Sequence, residues 1–190
     1  AASHRQASLV RLAKNGGKGA AVIAGLYVAD NMNFTHAIQI DADGQHDLAA
    51  VTDFLDQARH NPQALVCGYP VYDQTVPLSR LWGRELTNFW VHVNTRSKAL
   101  KDAMCGFRVY PIAQTLPVLP SVRTRRMDFD PDIAVRLLWA GVPVINRPVR
   151  VTYPKDGISH FRGFSDNMRI SRLHAGHFCT MLLRRMGLAK

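Results

Sequence analysis

Three apolar runs, "THAIQID", "ALVCGYP" and "PVINRPVRVTYP", are separated by longer segments whose apolar residues recur at helical period. This alternation is the strongest constraint on the fold. Strands that alternate with helices are joined by crossovers, and the expected solution is a mostly parallel α/β sheet with helices on both faces. Ligands in such sheets sit at the carboxyl ends of the strands.

Along the chain, "SLVRLAKNGGKGAAVIAGLYVAD" predicts a short strand, a turn over residues 15–19 and a helix to about Asp30. "THAIQID", an apolar run with an abrupt end, reads as a buried parallel strand. Asp47 is placed to cap a helix that carries Val51, Phe54, Leu55 and Ala58 on one face and stops at Asn61-Pro62. "PLSRLWGRELTNFWVHVNT" predicts a long helix with Leu81, Trp82, Leu86, Phe89, Trp90 and Val93 in register. "DAMCGFRVYP" reads as irregular. A further helix is expected from about Pro131, stopped by Gly141, and the two prolines of "PVINRPVRVTYP" mark that strand as an edge or an interruption.

At 190 residues, 47% apolar and 20% charged, the chain has the length and composition of a globular domain with a proper core. Cys67, Cys105 and Cys179 are widely spaced and form no metal or redox pattern, which fits a reducing compartment. The opening residues lack the charged and then apolar pattern of a secretory signal, and no apolar run approaches the roughly 20 residues of a membrane span. A cytoplasmic protein is expected. The net charge is +10 and uneven: from residue 120 onward thirteen Lys and Arg face five Asp and Glu. Either an anionic partner or a well-solvated basic surface accounts for that bias. No aromatic platform or nucleic-acid motif accompanies it, so a nucleic-acid partner is not expected.

The apolar run "THAIQI" ends abruptly in Asp41-Ala42-Asp43-Gly44-Gln45-His46-Asp47. Carboxylates at i and i+2, just beyond a strand, can turn toward one ion, and Gln45 adds a neutral oxygen. That hard, oxygen-rich set suits Mg²⁺ or Mn²⁺, with positions left for phosphate oxygens. A plain Asp/Gly turn is the simpler reading. A calcium loop fits badly, because His46 takes the glycine position and Thr52 the position of the final Glu. The haloacid-dehalogenase phosphatases also place Asp-x-Asp after a strand, with Asp41 as nucleophile, but continue with Thr where this chain has Gln45. "NGGKGA" is not a P-loop, since Leu12 stands at the first glycine position and no Ser or Thr follows Lys18. Lys18 still sits where a helix N-terminus favours an anion, or is simply an exposed lysine after a glycine turn.

In order, "NGGKGAAVIAGL", "IQIDADGQHD", "DAMCGFRVY", "FDPDIAVRLLWAGVPVINRPV" and "YPKDGISHFR" resemble the family 2 glycosyltransferases of GT-A fold. The likeness is greatest to the branch of the dolichyl-phosphate mannose synthases and polyprenyl-phosphate glycosyltransferases. The resemblance implies that Asp41 and Asp43 bind a Mg²⁺ or Mn²⁺ ion and the donor diphosphate, with Gln45 as a further metal ligand and Lys18 near the nucleotide. It implies that Asp102, Gly106, Phe107 and Arg108 line the sugar and acceptor site. It gives the role of catalytic base to Asp132, with Asp130 second, and sets Ser159 and His160 near the donor phosphates. Pro154 stands where the mannose synthases have Arg, leaving Lys155 or Arg162 for that contact. The family's opening strands, which grip the base and ribose, have no counterpart ahead of Lys18, so an N-terminally truncated GT-A domain over residues 1–163 is expected. The segment from Tyr153 onward also looks like that of bacterial family 2 enzymes associated with lipid acyltransferases.

The activity implied is metal-dependent, inverting transfer of a sugar from a nucleotide-diphosphate sugar to a lipid or lipid-phosphate acceptor, at the inner face of the cytoplasmic membrane. Residues 164–190 are expected to form a basic amphipathic helix in which Ile170, Leu173, Phe178, Met181 and Leu182 share a face, ringed by Arg169, Arg172, Arg184 and Arg185. Such a helix suits an anionic leaflet, or else packs on the domain. Against the enzyme reading stands a non-catalytic anion- or membrane-binding domain.

Overall fold

A computed structural model describes residues 8–72, 76, 78–152 and 163–188. The chain runs α1 (Lys18–Asn31), β1 (His36–Gln39), α2 (Ala50–His60), β2 (Leu65–Tyr72), α3 (Leu78–Thr95), β3 (Arg108–Pro111), α4 (Ile112–Thr115), a 3₁₀ turn (Leu119–Ser121), α5 (Phe129–Trp139), β4 (Val144–Val151) and α6 (Gly163–Arg185).

The four strands form one open sheet in the order β1-β3-β2-β4. β2 and β4 are parallel over their full lengths, from Leu65 opposite Val144 to Tyr72 opposite Val151. β3 is antiparallel to both β1 and β2. The sheet is therefore mixed, which corrects the expectation of a mostly parallel one. The cause lies in "GFRVYP", read from sequence as irregular. Its four strand residues are all buried, but one of them is Arg108, and the charge breaks the apolar run by which a buried strand is recognised.

Side chains leave the central strands alternately to two faces, as a pleated strand requires. Leu65, Cys67 and Tyr110 enter a core with Leu26 of α1 and Phe129, Ile133 and Leu137 of α5. Val66 and Val109 enter the opposite core with Phe54 and Ala58 of α2, Phe107 and Val149. Phe54 is wholly buried and meets the Phe107 ring edge-on at 4.7 Å. Asp47 accepts the Ala49 N–H just ahead of α2, and Asn61 ends that helix. β4 is an edge strand, where the missing N–H of Pro148 is tolerated. Gly141, at φ 79°, takes the left-handed conformation that closes α5.

Two expectations fail locally. Residues 8–12 form no strand: Leu9, Val10 and Leu12 are exposed and pair with no neighbour among the described residues. On α3 the expected apolar face is not the buried one. Trp82, Leu86 and Phe89 are exposed, while Thr87, Asn88, Val91 and Asn94 face inward. Polar groups can take these positions because they are bonded there: Asn88 Oδ1 accepts the Ala103 N–H and Thr87 donates to the Gly83 carbonyl.

α6 packs on α3 and α5 through Ile170, His174 and His177. The anchor is Asp132, whose Oδ1 lies 2.9 Å from His177 Nε2 and 2.6 Å from Arg136 Nε. No helix among the described residues is long and apolar enough to cross a membrane.

Candidate active site

Three segments far apart in sequence converge at the carboxyl end of β1. The first is the N-terminus of α1. Gly17 precedes it at φ 89°, and a side chain there would collide with the Arg125 carbonyl and the Arg126 side chain. A Cβ on Gly19 would fall 2.6 Å from that of Phe129. Both glycines let the helix start press against the entry to α5, and this contact sets Lys18 between two carboxylates.

Lys18 Nζ lies 2.8 Å from both carboxylate oxygens of Asp41 and 2.6 Å from Asp130 Oδ2. Asp130 is buried in the first turn of α5, and its other oxygen accepts from Gln39 Nε2 at 3.0 Å. Gln39 Oε1 in turn accepts the Tyr110 hydroxyl at 2.9 Å. Burial alone would raise the Asp130 pKa, but Lys18 and Arg108 hold it below the ordinary carboxylate value. Burial likewise works against the Lys18 charge, and Asp130 and Asp41 overcome it, so the ammonium's pKa is raised. The chain thus builds a half-buried lysine bridge between the acidic turn and α5.

The third segment is the loop that enters β3. Asp102 Oδ1 accepts from Arg84 of α3 at 2.7 Å and from the N–H groups of Met104 and Cys105. Arg108 is fully buried and donates to the carbonyls of Ala103, Cys105 and Asp130. These two residues brace the loop from within. The loop in turn presses Gly106 against Asp41: any side chain at 106 would collide with the Asp41 carboxylate. Phe107 packs inward on Phe54.

Asp43 lies on the exposed side of the turn, where its Oδ1 accepts the Gln45 N–H. Gly44, at φ 71°, provides the reversal. The Gln45 carbonyl accepts the Thr152 N–H, and His46 bridges to Val151, so the turn is tied to the end of β4. Among the described residues no three imidazole, thiolate or carboxylate groups gather at one point. The carboxylates available to a cation here are Asp41, whose oxygens already meet the Lys18 ammonium, and Asp43, whose Oδ1 accepts the Gln45 N–H. Mg²⁺ characteristically uses such a small set, completing its shell with water and phosphate oxygens.

No protein-family model matches the chain. It is similar to the dolichyl-phosphate beta-glucosyltransferase of Dictyostelium discoideum. The two are 24% identical over 172 residues, covering 86% of this chain and 51% of that protein. The chain therefore spans about half the length of this relative.

Of the residues expected at the site, Lys18, Asp41, Asp130 and Gly106 are brought together, with Asp43 and Gln45 on the adjoining turn. Asp102, Phe107 and Arg108 support them from behind. Asp132 belongs elsewhere: it is fully engaged by Thr124, Arg136 and His177. Of the two acids of α5, Asp130 is the one joined to Asp41. Ser159 and His160 lie outside the described residues, as do Lys155 and Arg162.

Arg84, Gln39, Tyr110 and His46 were not singled out from sequence. His46 meets the Phe107 ring edge-on at 5.6 Å, and its Nδ1 is buried without a partner among the described residues. Burial lowers its pKa despite Asp41 and Asp43, which favours the neutral ring. The pairing of Gln39 with Tyr110 has no sequence signal, since the two lie 71 residues apart. Burial pushes the thiols of Cys67 and Cys105 up to about 11 and about 12, which makes them poor nucleophiles at neutral pH.

Proposed function

We propose that the protein is a glycosyltransferase that moves a sugar from a nucleotide-diphosphate donor to a lipid phosphate, with inversion at the anomeric carbon. The observation that carries this reading is the Asp41–Lys18–Asp130 bridge, which gathers three of the five sequence motifs at one strand end. The likeness to a dolichyl-phosphate beta-glucosyltransferase supports the same chemistry.

In this reading Asp41 and Asp43 hold a Mg²⁺ or Mn²⁺ ion, which when bound supplies positive charge to the departing diphosphate. Lys18 adds a second cation at the same place, fixed before the donor arrives and so needing no reorganisation. Gly106 keeps the space beside Asp41 clear. An oxygen of the acceptor phosphate forms the new bond to the anomeric carbon as the bond to the diphosphate breaks, and the diphosphate leaves with the electron pair.

Asp130 bears on the acceptor class. A carboxylate held below its ordinary pKa by Lys18 is a weak proton acceptor, ill suited to deprotonating a hydroxyl. A phosphate is already anionic and gives up no proton, so the site favours it over a sugar hydroxyl. Asp130 then acts by orienting Lys18.

Binding of a nucleoside diphosphate, measured by calorimetry on the protein that carries this chain, tests the site. Affinity that rises with Mn²⁺ and falls at least about tenfold in Asp41→Ala is expected, the weight of one charge-assisted contact. Unchanged affinity in Asp41→Ala, or a phosphoaspartate trapped on Asp41, would contradict the reading.

A further inference from the structure

We propose that a cavity at the far end of α5 from Asp130 binds the phosphate of an anionic membrane lipid and docks this end of the molecule on a bilayer. The inference gives the lipid-acceptor reading a place of contact and rests on that reading for its purpose. Its evidence is independent.

The cavity has a volume of about 250 Å³ and is lined by Asn94, Thr95, Arg96, Trp139, Met181, Arg184 and Arg185. Asp130 and Trp139 lie at opposite ends of α5, so the cavity is roughly 13 Å along the helix from the Lys18 bridge. No acidic side chain lines it. The ends of α3, α5 and α6 meet here, and each helix C-terminus carries about half a negative charge. Three guanidiniums exceed that sum, and the surplus is positive. Capping the helix ends accounts for one arginine: Arg184 Nη2 donates to the Trp139 carbonyl at 3.2 Å and its guanidinium lies over the Trp139 ring. Arg96 and Arg185 are exposed and able to close on a phosphate as planar forks.

The flank of the cavity indicates the source of that phosphate. Phe178, Leu182 and Met186 recur every fourth residue and are 37%, 40% and 61% exposed. Four-residue spacing places Phe178 and Leu182 on one side of α6, with Met186, whose N–H bonds the Leu182 carbonyl just past the helix end, following on beside Arg185. Phe178 meets Trp90 edge-on, and Trp90 meets Phe89 of the exposed α3 stripe, so the apolar surface continues across both helices. Arginines beside an exposed apolar stripe match a headgroup above acyl chains. Free phosphate or RNA has no use for the stripe.

The test is co-sedimentation of the full protein with vesicles of phosphatidylcholine, with and without phosphatidylglycerol, in the absence of sugar donor. Binding only to the anionic vesicles is expected. Arg96→Asn and Arg185→Gln, both exposed positions, should each weaken it about fivefold, the weight of one charge at an anionic surface. Met186→Asp should weaken it as well, with circular dichroism confirming that each variant folds. Asp41→Ala should bind vesicles as the unaltered protein does, so loss of transfer and loss of docking separate. Equal vesicle binding by the arginine variants would overturn the proposal. So would arginine-dependent binding of glycerol phosphate or single-stranded RNA with none to vesicles.

Discussion

Lys18 is the residue on which the site turns, because it bridges two carboxylates that would otherwise repel. Replacing it with Met leaves Asp130 buried without its direct ion-pair partner, and should cost about 3–5 kcal/mol by urea denaturation at neutral pH. The pH dependence follows from the directions of the shifts. The Asp130 carboxyl lies below its ordinary value, so the stability it contributes is present above about pH 4 and lost as pH falls through its folded value. The Lys18 ammonium lies above its own, so the same pair weakens only in strong alkali. The gap between the unaltered protein and Lys18→Met should therefore narrow below about pH 4. A constant gap from pH 7 to pH 3 would show that Lys18 acts through packing and not through charge. Asp41 and Lys18 could be found from sequence, because local context marks them as strand end and helix start. The choice between Asp130 and Asp132 could not. Both open the same helix, and only the third dimension shows that one turns to Lys18 and the other to His177.

At the scale of elements, α2 and α6 are held in different ways. α2 is held by shape: Phe54→Ala should cost about 3–5 kcal/mol, since it empties a site closed by Phe107 and Val109. α6 is held by His177 on Asp132, with His174 buried beside it and neither of its ring nitrogens hydrogen-bonded among the described residues. Burial, with a smaller contribution from His177, lowers the His174 pKa to about 4. The folded protein therefore keeps this ring neutral where the unfolded chain protonates it. Stability should fall as pH drops from about 6.5 to about 4, by ~3 kcal/mol in all. His174→Leu should remove that slope, as thermal melting across the range would show. These elements were legible in unequal degree. Five of the helices, α1, α2, α3, α5 and α6, and the strands β1, β2 and β4 follow from periodicity and stop signals. β3 was hidden by Arg108, whose buried guanidinium is held by hydrogen bonds to three carbonyls that no local pattern reveals. The inward face of α3 was misjudged for a related reason: apolar period alone does not tell a face that meets a core from one left open.

The whole molecule has two ends with different chemistry. One presents two aspartates and a half-buried lysine at a strand terminus; the other presents arginines beside exposed apolar side chains. A transferase acting on a lipid phosphate needs both, one for a diphosphate and one for a surface. The order of the five motifs made this reading available from sequence, while the convergence of the first four needed the mixed sheet. The most direct measurement is transfer of sugar from nucleotide-diphosphate donors to a polyprenyl phosphate by the protein that carries this chain, with Mn²⁺ present. The account predicts a sugar–phosphate–lipid product whose formation drops about 100-fold or more in Asp41→Ala. Product formed at an unchanged rate by Asp41→Ala, or sugar delivered to a hydroxyl with the lipid phosphate left untouched, would contradict it.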